Sequence, residues 1–139
     1  MAKTTLDTSR VCSGTYGRVF KDGNEYPQVS ECTADVERDM KEINAVGQEW
    51  VGYKGGLKKG SGTIKGWKVT SEMIQQGFDK FELLTELDDP EAYGAERIRL
   101  LNCQFSKINL VNFKPGEVIE EEMPFVFSGY ELVDPIVAD

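Results

Sequence analysis

Histidine is missing from all 139 residues. That removes the side chain most used as general base and metal ligand near neutral pH, and with it Ser-His nucleophiles and most zinc hydrolase sites. Cysteine is scarce. Cys12, Cys32 and Cys103 are odd in number, far apart and form no CxxC pair, so neither a disulfide framework nor a zinc site is expected. All three read as small buried hydrophobes. No stretch approaches about 18 consecutive apolar residues, so no membrane-spanning helix and no membrane binding is expected. The opening MAKTTLDTSR lacks the apolar run of a signal peptide, which points to synthesis in the cytoplasm. Positive charge is also short: 16 basic against 24 acidic residues leave a net charge of −8 and a pI near 4.7. Such a surface repels phosphate and disfavours a protein that grips nucleic acid over its whole face. Glycosylation sequons, repeats and low-complexity segments are absent as well.

With 40% hydrophobic and 29% charged residues the chain reads as one folded domain over 1–139, large enough to bury a core. Residues 1–9 are polar and small and read as a loose arm. VCSGTYGRVF, residues 11–20, reads as a strand entering a turn at Lys21, Asp22, Gly23 and Asn24, where Asp-Gly and Gly-Asn accept positive φ. Residues 26–31 return as its partner, with Pro27 suggesting an edge. Over 33–46 two readings stand: Val36, Met40 and Ile43 have helical spacing, while an extended strand is slightly preferred because so short a period is easily overridden.

Residues 47–69 read as a long projecting hairpin, with strands near Trp50 to Tyr53 and from Thr63 onward flanking a Gly-rich tip that carries Lys54, Lys58 and Lys59. The tip fails as a phosphate-binding loop, because Ser61 and Gly62 stand where Lys and Ser/Thr belong. It fails as a dinucleotide fingerprint too, since Gly66 comes one position late. A positive end on an acidic protein instead suits contact with an acidic neighbour. Ser71 is placed to cap a helix over about 72–80, with Met73, Ile74, Phe78 and Phe81 on its apolar side and Gly77 weakening it by about 1 kcal/mol. A strand over 81–87 and an acidic loop over 88–94 follow. Asp88, Asp89 and Glu91 lack the spacing of a calcium loop and read as solvated.

Residues 96–130, ERIRLLNCQFSKINLVNFKPGEVIEEEMPFVFSGY, read as three consecutive strands. In the last, Ile119, Met123, Phe125 and Phe127 fall on one side and Val118, Glu120, Glu122, Val126 and Ser128 on the other. Pro124 cannot donate a ladder hydrogen bond, so this strand should lie at an edge or pair there only through carbonyls. Lys114, Pro115, Gly116 and Glu117 form a turn sequence, giving an expected hairpin between 108–113 and 118–127. In the first strand Ile98 and Leu100 alternate with Leu101, Cys103 and Phe105, so both faces look apolar. A small monomer hides only one, and the surplus suggests cover by other subunits. The class is mainly β, a β-sandwich or partly open barrel with one short helix.

Gly94-Ala95-Glu96-Arg97-Ile98, then Leu101-Asn102-Cys103-Gln104-Phe105, then Glu120-Glu121-Glu122-Met123-Pro124-Phe125-Val126-Phe127 resemble the C-terminal half of contractile-tail tube proteins of Gram-positive prophages and phage-tail-like bacteriocins. Gly17-Arg18-Val19-Phe20, Gly52-Tyr53-Lys54 and Lys68-Val69-Thr70-Ser71 extend the resemblance over most of the chain. It implies a structural subunit, not an enzyme, with no cofactor. Six copies would form a ring, inner sheets joined edge to edge around a channel, and rings would stack into a tube. Sheath, tape-measure and baseplate proteins would be neighbours, and DNA would at most pass through unbound. The subunit would assemble in the bacterial host cytoplasm and leave in the tail or bacteriocin particle. On this reading Glu120 and Glu122 face the lumen, and the hairpin with Trp50, Tyr53, Lys54, Lys58 and Lys59 reaches the next ring. The competing reading is a monomeric β-barrel whose Trp50, Tyr53, Trp67 and Phe105 line a small-ligand pocket.

Overall fold

The computed structural model describes residues 5–138; residues 1–4 of the expected 1–9 arm, and Asp139, lie outside them. Eight strands form one antiparallel sheet: β1 (Gly17–Lys21), β2 (Asn24–Glu25), β3 (Val29–Ile43), β4 (Gly52–Trp67), β5 (Phe81–Leu87), β6 (Glu96–Phe105), β7 (Glu120–Phe127) and β8 (Gly129–Asp134). The order is β2-β1-β5-β6-β7-β4-β3, with β8 also on β6. The class is therefore mainly β. β6 is the hinge of the architecture: Arg97 to Leu101 pair with β8, whereas Gln104 and Phe105 pair with Val126 and Phe125 of β7. Two leaves result, and they face each other across one core built from Val19, Leu83 and Leu100 of one and Ile64, Met123, Phe125 and Phe127 of the other.

The phase of β6 changes at a bulge. Asn102 has a left-handed φ of 54°, and Leu101 and Asn102 together oppose Glu82, between the pairs Leu83 with Leu100 and Phe81 with Cys103. Leu100, Cys103 and Phe105 consequently share the buried side. Simple alternation puts Leu100 on the other face, so the expected apolar surplus of this strand is largely resolved inside the subunit. The Phe105 ring packs against that of Phe81, tilted by 49° with centroids 4.8 Å apart, and complete burial of such a side chain contributes about 1.5–3 kcal/mol.

β4 runs unbroken through the Gly-rich stretch that the sequence suggests is a hairpin tip. Gly60 stands opposite Phe127 and Gly62 opposite Phe125. A methyl group at either position would enter the facing ring, and at Gly62 also the Thr33 carbonyl. These glycines are strand positions whose side-chain space is filled from β7. β3 is extended through Ile43, which makes 33–43 strand and leaves 44–46 to the turn that follows. The β3–β4 turn lies at residues 44–51.

β7 as a whole lies between β4 and β6, but β6 pairs only with Phe125 and Val126, so Pro124 stands where that side of β7 becomes a free border. It pairs through its carbonyl, which accepts from Ser106 N at 3.0 Å where β6 departs. The hairpin expected over 108–113 and 118–127 is absent as a ladder: only the turn forms, with Gly116 at φ 83° and Glu117 N donating to Lys114 O. The expected strand over 11–20 begins only at Gly17, after two 3-10 turns capped by Asp7 and Ser13. Of the return strand expected over 26–31 only 29–31 are strand, as the start of β3; the strand that pairs back on β1 is β2, which precedes it. The helix α1 (Glu72–Gln76) stops at Gly77, short of residue 80, and the Ser71 side chain makes no capping bond. Met73 is buried, while Phe78 is exposed and Phe81 belongs to β5.

Candidate functional site: assembly surfaces

β7 ends opposite Gly60, so residues 36–59 form a two-stranded ribbon that outruns the leaf. Isolated two-stranded ribbons are marginal in water. This one is also greasy: Trp50 in the turn is 85% exposed, Leu57 82% and Tyr53 62%, with Val46 fully exposed and Val36, Met40 and Ile43 about half. Exposed apolar side chains at this density are what an interaction surface presents.

Its charges differ from those of the rest of the chain. Lys41 opposes Lys54 and Arg38 opposes Lys58, two like-charged cross-strand pairs, of which the first is partly offset by Asp39, 3.1 Å from Lys41. Lys59 opposes Glu37. Lys54, Lys58 and Lys59 thus lie along the ribbon, not at its tip, and Trp50 alone of the five named residues occupies the turn. The ribbon holds five basic and four acidic residues against eleven and twenty in the rest of the chain, a local reversal of sign.

On the leaf below, directly opposed residues share a face. Glu120 opposes Trp67, Glu122 opposes Lys65, and Lys65 in turn opposes Glu31, 3.8 Å from it. Thr33, Asp35 and Glu37 continue the same face along β3. Glu120 and Glu122 are therefore brought together on a polar, mainly acidic surface that turns its back on the core. Glu121, between them, points the other way: it is 7% exposed, 3.7 Å from Lys68, and its second carboxylate oxygen has no hydrogen-bond partner. The sequence separates the three glutamates into two faces, but the Lys68 partner and the burial depend on contacts between β7 and the start of the α1 connection.

Between the leaves, beside the root of the ribbon, opens a cleft of about 910 Å³ walled by Val19, Ile98, Leu100 and Tyr130 on one side and Cys32, Ala34, Val36 and Phe127 on the other. None of Trp50, Tyr53, Trp67 and Phe105 lines it: the first three are exposed and Phe105 is sealed in the core. The arrangement required for the small-ligand reading is not formed.

The titratable groups supply little chemistry. Burial pushes the thiols of Cys32 and Cys103 up to about 11, so both stay protonated and inert at neutral pH. Burial, together with the charges of Glu72 and Glu121, raises the Tyr26 phenol to about 12. Asp89, expected in solvent, is instead buried and accepts from Ser13 N and Glu91 N, clamping the first turns to the 88–94 loop. Among the described residues no group of three acidic or cysteine side chains could hold a metal ion, and no helix is long and apolar enough to cross a membrane.

Comparison with known proteins gives a consistent result. A profile of the family described as phage tail tube protein matches residues 4–134. The phage-like element PBSX protein XkdM of Bacillus subtilis is 30% identical over 141 residues, covering 94% of this chain and 96% of that protein. Among solved structures, a chain from an extracellular contractile injection system, the PVC sheath-tube complex in the extended state, superposes with a TM-score of 0.69 at 12% identity, covering 94% of this chain and all of that one. A chain of the virion of a native gene transfer agent particle gives 0.65 at 12% identity, covering 89% and 100%.

Proposed function

The chain belongs to the phage tail tube protein family, and from that membership we propose that it builds the inner tube of a contractile phage tail or an R-type, phage-tail-like bacteriocin. Six copies form each ring, and rings stack around a central channel. The observation that carries this reading is the ribbon over 36–59, an apolar, locally basic projection that the subunit itself leaves unsupported. It reaches the neighbouring ring, where Trp50 and Leu57 are buried and Lys54, Lys58 and Lys59 meet acidic side chains.

Edge strands complete the ring. Opposite borders of one leaf joined between copies make a heterologous contact, which closes when the rotation closes, while the stacking contact stays open and gives a filament. The acidic face with Glu120 and Glu122 lines the lumen, where negative charge lets DNA pass without binding. A structural role without enzymatic activity or cofactor accords with the family. Sheath, tape-measure and baseplate proteins are the other partners; the subunit assembles in the host cytoplasm and leaves within the particle. Size-exclusion chromatography with negative-stain microscopy tests the proposal: rings or tubes with a central hole are expected. A species that stays the size of one chain at all concentrations contradicts it.

A further inference from the structure

β3 is the last strand of its leaf, and its outer border has no partner strand among the described residues. The opposite border is the first half of β7, which β6 leaves after two residue pairs. Residues 106–119 run beside it without forming a ladder: Ser106 N donates to Pro124 O at 3.0 Å, Asn109 N to Met123 Sδ at 3.3 Å, and Asn112 Nδ2 to Glu120 O at 2.7 Å. Yet residues 108–113 read INLVNF, a strand sequence, and Leu110, Val111 and Phe113 are exposed.

The two borders match in height, direction and charge. Through β4, Val29 is level with Glu121, Glu31 with Glu122 and Thr33 with Pro124, so the start of β3 stands at the height of the 106–112 segment. That segment descends from Pro124 toward Glu120 while β3 ascends, so copies related by a ring rotation bring them together antiparallel. Residues 29–37 carry Glu31, Asp35 and Glu37 and no basic residue, whereas 106–114 carry Lys107 and Lys114 and no acidic one.

Resting on the ring reading above, we infer that residues 107–113 become a strand only in the assembly, by pairing with β3 of the next copy. The partner is a second copy of this chain, recognised by backbone hydrogen bonds along β3 and by Lys107 and Lys114 against Glu31, Asp35 and Glu37. The missing ladder in the subunit follows: strand sequence alone does not order a segment whose partner edge is on another molecule.

Hydrogen exchange on free subunits and on assembled tubes provides the test. The amides of 110–113 exchange freely in the subunit and slow by about 100-fold or more in the tube. Tubes in which these amides remain as fast as in the subunit overturn the inference while leaving the tube reading intact; a wild-type protein that never assembles removes both. A charge swap gives a second reading. Lys107→Glu with Lys114→Glu abolishes rings without lowering the melting temperature of the subunit, and adding Glu31→Lys with Asp35→Lys restores them. Rings that form normally from the first variant, or fail to return in the second, count against the pairing.

Discussion

Gly62 shows how much one missing side chain can carry. Its place in β4 is occupied by the Phe125 ring, and the Thr33 carbonyl closes the other approach. Gly62→Val forces both away and is expected to cost about 1–3 kcal/mol, read as a lower melting temperature. Gly14→Ala, in open space, should stay within about 0.5 kcal/mol of the parent. The sequence hides this distinction, because a run of glycines between lysines looks like a loop until the aromatic residues about sixty positions later are laid across it. Asn102 is similar: residues 96–105 announce a strand, but the left-handed turn that moves Leu100 onto the side of Cys103 and Phe105 is a single backbone angle with no pattern of its own.

At the scale of elements, strands whose partners lie in the same leaf and whose apolar residues alternate are legible. Residues 81–87 and 96–105 stand where the sequence puts them, and β7 keeps its alternation. The ribbon is legible only as a projection. Its turn lies at 44–51, one strand earlier than the glycines suggest, because β3 and β4 are held by mutual pairing and not by a short turn motif. Replacing residues 40–55 with a tight turn removes no core side chain. The shortened subunit should keep its melting temperature to within a few degrees while tubes no longer grow beyond single rings in negative-stain images. Long filaments from that variant would show that stacking lies elsewhere.

For the whole molecule, the sign of the charge matters more than any individual group. The acidic face of β3, β4 and β7 places Glu31, Asp35, Glu37, Glu120 and Glu122 around only Lys59 and Lys65. Glu120→Lys with Glu122→Lys should leave the fold unchanged, since both side chains face away from the core, and should raise the affinity of assembled tubes for double-stranded DNA by about tenfold or more at low salt, an effect that fades as salt rises. Unchanged retention of DNA would place that face outside the channel.

The ribbon leaves one end of β4 and the irregular 106–119 segment lies beside the other, so the molecule has a head and a foot that differ in shape and charge. A column of such units is an arrow. Its two tips expose different chemistry, so addition at the two ends is expected to proceed at unequal rates.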